Sequence, residues 1–177
     1  MGSWWSEHPD LAGVARRGRS EFTEEATAAE RDAELLRKRR RTLGDVCFEW
    51  MSRGDLVTFA VGTNHFEGHL AATVNDLVIV RTKTMEVAIN VSLVTFARSD
   101  KQQVFAGTTG ERSVSSFRAQ LGRYEVEATP VRLVDADNGF DLVGVIEAST
   151  DDHVLVCDEQ GHEWALPRNR IGCAVSQ

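Results

Sequence analysis

Few residues in this 177-residue chain have the types and spacing that chemistry requires. His65 and His69 lie four positions apart around Glu67, which puts all three on one side of a strand, but no third and fourth metal ligand is evident. Cys157 has only His153 as a local imidazole, and no phosphate loop or nucleophile motif occurs. We therefore predict a non-enzymatic protein without catalytic residues, metal or cofactor, and with no small-molecule substrate.

A run of five consecutive cations is the sharpest local feature, and it comprises Arg37, Lys38, Arg39, Arg40 and Arg41. On a helix the run covers about one and a half turns and points nearly all round the axis. One interpretation is a nucleic-acid site, in which each cation binds a phosphate and releases a counterion. The other is pairing with acidic groups of the chain itself or of a protein partner. We favour pairing, because residues 1–53 hold ten basic and ten acidic side chains.

Composition excludes several classes of protein. The net charge of −7 lies entirely within residues 54–177, so this part of the chain repels polyanions. No apolar run approaches the roughly 20 residues of a membrane helix, and three cysteines without a CxxC pair exclude a disulfide framework. The start of the sequence shows no signal pattern, and arginine exceeds lysine by 17 to 3. We predict a cytoplasmic bacterial protein that does not bind membranes.

Trp4 and Trp5 are large apolar residues in a segment with little periodicity. Such residues either fold back on their own domain or anchor a partner, a role in which buried tryptophan is common. We retain them as candidate partner-binding residues. Trp50 and Trp164, by contrast, occupy positions that predict core packing.

The elements that must position these residues divide the chain after residue 53. From Thr23 to about Ser52, small or apolar residues recur every three or four positions, which predicts a helix that Gly44 breaks. Beyond Gly54, five short alternating segments separated by turn residues predict antiparallel strands. They leave no room for crossover helices, so we expect a meander that curls into a barrel.

The strand pattern then recurs. Adding 76 to the residue number places Gly68 on Gly144 and Val80 on Val156, and an offset of 77 suits the last two strands. For the first strand, an offset of 72 is expected to place Phe59 on Val131. A second short helix, capped by Ser115, precedes the repeated strands. The pattern predicts a tandem duplication, with Val78 and Val80 as buried as their counterparts Val154 and Val156.

The stretch from Phe66 to Val80, with its glycine, Asn-Asp turn and valine-rich strand, resembles the Sm-like small β-barrels, as does Val143 to Val156. SH3-like barrels share the pattern. The resemblance implies oligonucleotide binding, often of uridine-rich RNA, and often ring assembly. The loop that stacks bases in that family is represented here by Val74-Asn75-Asp76-Leu77, and the family's Arg-Gly or Lys-Gly pair is absent. RNA binding, if present, should therefore rest on the arginine run.

These observations predict a mainly β (α+β) chain, an N-terminal helix followed by two tandem five-stranded antiparallel Sm/SH3-like barrels. The predicted domains are an N-terminal irregular segment and helix (1–53), a first barrel (54–98), a linker (99–112), and a second barrel with a leading short helix (113–177). The predicted function is an adaptor module for protein–protein assembly, with a protein partner or self-association. The alternative is an RNA-binding protein that contacts phosphates through the arginine-rich helix.

Overall fold

The computed structural model describes residues 26–100 and 114–176. The chain divides into two compact units, residues 1–41 and 42–177. In the first unit, residues 26–40 form helix α1. Its side chains are mostly exposed, including Leu35 and Leu36, so the apolar stripe expected on this helix is open to solvent at Leu36.

The expected helix break exists, but it lies at residues 41–42 rather than at Gly44. Thr42 begins α2 (Leu43–Arg53) with a capping box. The Thr42 hydroxyl accepts a hydrogen bond from the Asp45 amide at 3.1 Å, and the Asp45 carboxylate accepts one from the Thr42 amide at 2.8 Å. Gly54, at φ 71°, ends the helix in the left-handed conformation.

All ten strands that follow α2 in the described chain belong to one antiparallel sheet, in the order β5-β1-β2-β3-β4-β10-β6-β7-β8-β9. Helix α3 precedes β6. The elements are β1 (Leu56–Val61), β2 (Asn64–Val74), β3 (Leu77–Arg81), β4 (Glu86–Asn90), β5 (Phe96–Asp100), α3 (Phe117–Glu127), β6 (Pro130–Asp135), β7 (Asp141–Ser149), β8 (His153–Asp158), β9 (Glu163–Pro167) and β10 (Ile171–Ser176). Short 3-10 turns, Val91–Leu93 and Arg168–Arg170, follow β4 and β9.

The prediction of two closed barrels is wrong. Within each half, the fifth strand pairs with the first, as β5 does with β1 and β10 with β6. The edge of β4, however, pairs with β10 and not with β5. Because a strand edge exposes unpaired amides and carbonyls, pairing the halves through β4 and β10 satisfies two edges without closing either half.

The two halves of the sheet repeat one arrangement, as the recurring strand pattern predicts, down to matching irregularities. We call α2 with β1–β5 repeat one, and α3 with β6–β10 repeat two. The ladder between β2 and β3 shifts register between Leu70 and Ala72, and the ladder between β7 and β8 shifts at the equivalent place, between Ile146 and Ala148. The chain direction of a strand changes at such bulges, so each repeat bends at the same point.

The register of the first strand differs from the expectation. Val57 pairs with Gly68 and Val131 pairs with Gly144, so the numbering offset between β1 and β6 is 74 and not 72. Phe59 therefore corresponds to Leu133 instead of Val131. The offsets of 76 and 77 for the later strands hold, since Val78 pairs with Ile89 as Val154 pairs with Leu166.

The protein has two cores, one beneath each of α2 and α3, and each core also includes residues of the other repeat. Val78, Val80, Val154 and Val156 are all fully buried, as predicted. In repeat one, α2 packs on β2 and contributes Cys47 to the core, with Trp50 partly buried against it. In repeat two, α3 packs on β7 and buries Phe117, Leu121 and Tyr124, the three residues expected on its apolar face.

The N-cap of α3 is Ser116 and not the predicted Ser115; its side chain accepts a hydrogen bond from the Ala119 amide. The predicted linker begins two residues too early, because β5 extends to Asp100. Residues 101–112 of that linker lie outside the described residues.

Candidate functional site

The junction between the two repeats shows how this chain joins one sheet edge to another. Strand β4 pairs with β10 through four residue pairs: Ile89 with Cys173, Ala88 with Ala174, Val87 with Val175, and Glu86 with Ser176. Both members of the first three pairs are buried. The two strands therefore form a ladder that is apolar on both faces at its centre.

Helix α3 reinforces this junction from repeat two. The Asp76 carboxylate, in the turn before β3, accepts a hydrogen bond from the Phe117 amide at 3.0 Å. The Asn75 side-chain amide donates to the Ser115 carbonyl at 2.8 Å. Leu77, Ile79 and Ala88 of repeat one belong to the same core as α3. The helix of one repeat thus packs on the strands of its neighbour as well as on its own.

A pair of hairpins adds a third contact between the repeats. Asn138 Oδ1 accepts hydrogen bonds from the Thr63 amide at 2.7 Å and the Thr63 hydroxyl at 3.1 Å. Gly62 lies so close that a Cβ there would come within 2.2 Å of the same oxygen. Close packing of this kind requires glycine, since a larger residue would have to displace Asn138.

Among the described strands, β5 and β9 form the outer edges of the sheet, and each pairs with a described strand on one side only. Both present large exposed apolar side chains: Phe96 on β5 is 44% exposed and Trp164 on β9 is 46% exposed. Ala165, next to Trp164, is also exposed. Natural edge strands are usually protected by charge, proline or a covering element, so the exposed apolar groups make these two edges candidate binding surfaces.

The β9 edge is held in place by Asp158. Its carboxylate accepts hydrogen bonds from Trp164 Nε1 at 2.9 Å and from the amides of Gln160 and His162 at 2.9 Å. The bond from the Trp164 indole is the largest of the effects that lower the pKa of Asp158 to about 2. The indole is therefore oriented by the β8–β9 hairpin and not free to turn away from the edge.

The β5 edge is held by Asp55, which is 1% exposed. Asp55 Oδ2 accepts hydrogen bonds from Ser99 on β5 at 2.7 Å and from Arg53 Nη2 at 2.6 Å. The Phe96 ring packs edge to face against the ring of His65, at a centroid distance of 5.5 Å. Both candidate edges therefore combine an exposed aromatic ring with a fixed hydrogen-bond network beneath it.

The arginine run lies on α1 and at the residue after it. Arg37, Lys38, Arg39 and Arg40 are exposed. Arg37 and Lys38 both form ion pairs with Glu34, the latter at 3.7 Å. This arrangement agrees with the predicted intrahelical pairing for two of the cations. Helix ion pairs at this exposure contribute only about 0.3–0.5 kcal/mol each, so they do not prevent the cations from binding phosphate.

The remaining sequence candidates do not form a reactive site within the described residues. Trp4 and Trp5 lie outside those residues. Cys47 and Cys173 are buried, and burial raises the pKa of each thiol to about 12, the opposite of what a thiolate nucleophile needs. No group of three or more His, Cys, Asp or Glu side chains that could hold a metal occurs in the described chain.

A groove of about 470 Å3 runs past Met85, Arg132 and Val143. Arg132 is the cation on its wall, and its guanidinium already donates to Asp141 Oδ1 at 2.7 Å and to Asn64 Oδ1 at 3.0 Å. A side chain committed to two internal acceptors anchors the strands β6 and β7. Among the described residues that line it, the groove presents no acid–base pair that resembles a catalytic arrangement.

Sequence reasoning missed both exposed aromatic residues. It assigns Phe96 to a strand interior and Trp164 to the core, because strand alternation alone cannot show which strand lies at an edge. The signal that identifies them is the repeat itself. Residues 77 positions away, Val87 for Trp164 and Cys173 for Phe96, are fully buried, and they are buried only because the other repeat covers them.

Comparison with known proteins yields no match, whether to a family model, to a curated protein or to a solved structure. Within the described ranges, no helix is both long enough and apolar enough to cross a membrane. The two sheet edges and α1 are therefore the features from which a function can be inferred.

Proposed function

We propose that this chain is a non-enzymatic assembly module that binds protein through the open edges of its sheet. The observation that carries the proposal is the pair of exposed aromatic residues, Phe96 and Trp164, on the two strands that have no second neighbour among the described residues. An added strand gains main-chain hydrogen bonds from such an edge, while the aromatic groups supply apolar contact area. This agrees with the protein-assembly function expected from the sequence.

A capture experiment with the intact, tagged chain tests this proposal. The edge variants are Phe96→Asp and Ala165→Lys, both at exposed positions where a charge leaves the core intact. The matched control is Val126→Asp, because Val126 is apolar and 86% exposed but lies on α3. Bound protein and bound RNA are both identified, before and after nuclease treatment.

We expect protein capture that survives nuclease, falls at least about tenfold in each edge variant and is unchanged in Val126→Asp. Capture that is equal in all four proteins would show that the edges are not the binding surface. Capture that disappears with nuclease would mean that RNA, and not a protein strand, is the principal ligand.

The alternative function, phosphate binding by the arginine run, is favoured by one observation, the exposure of residues 37–40 on α1. It is tested by titrating single-stranded RNA at two salt concentrations. RNA binding through this run should weaken with a slope of about −0.7 per phosphate contact and should be lost in the triple variant Arg37→Gln, Arg39→Gln, Arg41→Gln. The comparison variant is Asn75→Ala, which should leave RNA binding nearly unchanged. Asn75 lies in the turn that corresponds to the base-stacking loop of Sm-like proteins, so a loss of binding in this variant would place the RNA at that turn instead.

A further inference from the structure

The internal junction between β4 and β10 has the same construction as a contact that two copies of this chain can make. Within the described parts of the chain, the fifth strand of repeat one, β5, and the fourth strand of repeat two, β9, each have one open edge. These are the counterparts of β10 and β4, the two strands that join within the chain. We propose that the partner of each edge is a second copy of this chain, which pairs its β5 with β9 of the first copy. This inference rests on the proposed function of the edges.

The internal junction specifies the register of the pairing. A numbering offset of 77 converts each β4 residue into its β9 counterpart and each β10 residue into its β5 counterpart. The four pairs that result are Leu166 with Phe96, Ala165 with Ala97, Trp164 with Arg98, and Glu163 with Ser99. The inner neighbours of β5 and β10 are in equivalent register as well. Ala97 of β5 pairs with Phe59 of β1, as Ala174 of β10 pairs with Leu133 of β6.

The side chains at the outer edges suit this contact. Ala165 would meet Ala97 as Ala88 meets Ala174, so the close approach at the centre of the ladder is preserved. Arg98 would lie opposite the Trp164 ring, a pairing in which a guanidinium gains from the aromatic face. Phe96, which is 44% exposed in the single chain, would lie opposite Leu166, which is already buried. Apolar residues that water now touches would thereby be buried.

Helix α2 carries a second exposed counterpart. Leu43, the first residue of α2, is 37% exposed, whereas Phe117, the first residue of α3, is 1% exposed because it packs at the junction between the repeats. Asp76 accepts a hydrogen bond from the Phe117 amide, and the residue at the equivalent turn of repeat two is Asp152, whose Oδ1 already accepts a hydrogen bond from the Thr150 hydroxyl at 2.9 Å. In the proposed pair, Asp152 of one copy receives the Leu43 amide of the next. The β5 edge, the β9 edge and the start of α2 thus all predict the same neighbour, a second copy of this chain.

One difference predicts that the contact between copies is weaker than the internal one. At the internal junction, Asn138 of the long β6–β7 turn accepts a hydrogen bond from the Thr63 amide. The β1–β2 turn of repeat one is shorter and has no residue equivalent to Asn138. Each copy also carries a charge of −7, so copies repel at low salt. Association should therefore strengthen as salt screens this repulsion, the opposite of the dependence expected for RNA.

The pairing is head-to-tail, because it joins two different edges. Every copy added leaves one β5 and one β9 edge open, unless the series closes on itself. The intact chain should therefore form a closed oligomer or a series of species whose mass increases with concentration, and a dimer with two free edges should not be the limit.

Disulfide trapping tests the register directly. One protein carries Ala97→Cys and the other Ala165→Cys, both in a Cys157→Ser background that removes the half-buried native thiol. Opposed residues in an antiparallel pair have Cα atoms about 4.5–5.5 Å apart, within the range of a disulfide, whereas residues displaced by two along the strand do not. The matched control therefore mixes Ala97→Cys with Glu163→Cys.

We expect the first mixture to form a cross-link between the two proteins under mild oxidation, at least about tenfold more than the control mixture. A second arm measures mass against concentration. Trp164→Arg should weaken association about tenfold, because it places a cation opposite Arg98, and adding Arg98→Glu should restore it several-fold. Val126→Asp should change nothing.

A chain that stays monomeric at every concentration and salt, and that forms no cross-link, overturns this inference. Equal cross-linking in both mixtures overturns it too, since the register would then be unspecific. Edge-dependent capture of a different protein by a monomeric chain would refute self-pairing and leave the proposed function standing. Protein capture that is equally strong in the wild type, in Phe96→Asp and in Ala165→Lys would refute the proposed function itself.

Discussion

Replacing Gly144 by alanine should destabilise the protein through a close contact between neighbouring strands. Gly144 lies on β7, opposite Val131 on one side and Asp158 on the other. A Cβ at this position would lie 2.4 Å from the Cys157 carbonyl oxygen and 2.7 Å from a methyl group of Val156. Ordinary contacts begin at 3.4 Å, so β7 and β8 would have to separate by about 1 Å.

The size of the effect follows from the atoms that must move. Overpacking a well-packed site costs about 1–3 kcal/mol. A ladder hydrogen bond stretched by the separation adds about 0.5–1.5 kcal/mol. The lower conformational entropy of alanine in the unfolded chain offsets about 0.5–1 kcal/mol. We therefore expect Gly144→Ala to lower the free energy of unfolding by about 2 kcal/mol, the centre of the range of about 0.5–4 kcal/mol that these terms span. Gly68→Ala should behave alike, because its Cβ would lie 2.3 Å from the Arg81 carbonyl oxygen.

Urea unfolding followed by tryptophan fluorescence measures this, and Gly122→Ala is the matched control. Gly122 lies within α3, and a Cβ added there would meet no atom within 4 Å, so alanine should stabilise the helix by about 0.5–1 kcal/mol. The midpoint should fall for Gly144→Ala and rise for Gly122→Ala at an unchanged m value. If Gly144→Ala unfolds at the wild-type midpoint, the close approach of β7 and β8 is not a constraint on the sequence.

Three other predictions concern the buried thiols, the loss of stability at low pH, and the contact between the two repeats at Asn138. Cys47 and Cys173, whose pKa values burial raises to about 12, should resist thiol reagents at pH 8 in the native protein and react on unfolding; fast labelling of both would contradict this burial. The pKa of Asp158 is lowered to about 2, so its contribution to stability is present above its unfolded pKa of about 4 and is lost as pH falls towards 2; Asp158→Asn should flatten the acid limb of a stability–pH curve. Asn138→Ala removes the acceptor of the Thr63 amide and should lower the free energy of unfolding by about 1–2 kcal/mol without changing cross-linking at the outer edges.

Much of the architecture can be predicted from the sequence because it is local. The alternation of apolar residues, the turn signals and the glycines at 68 and 144 indicate ten short strands in two matching sets. The apolar spacing of Phe117, Leu121 and Tyr124 likewise predicts α3 and its buried face. The predicted first-strand register is wrong because Val57, Phe59 and Val61 alternate evenly, and a slip of two residues preserves the same buried face.

The candidate edges could not be predicted from the same signals, because the choice of neighbouring strand is a long-range contact. Trp164 and Val87 occupy equivalent places in the two repeats and have equally apolar surroundings in sequence. One is exposed and the other buried only because β10 covers β4 and no described strand covers β9. An interpretation based on single-strand alternation therefore places both in the core, and only the strand order separates them.

The open sheet also supports the proposal that this duplicated unit assembles through its edges. If each repeat had closed on itself, β4 would have paired with β5 and no edge would have remained. Pairing β4 with β10 instead leaves the corresponding edges of β9 and β5 without a partner among the described strands, and these edges carry exposed Trp164 and Phe96 in place of buried Val87 and Cys173. The larger aromatic groups at the outer edges would bury more apolar area per residue than the internal pair, which suits a contact that must hold without a covalent linker. The outer edges of β5 and β9, which are the counterparts of the two edges that pair inside the chain, are therefore the surfaces through which we propose that it binds another copy.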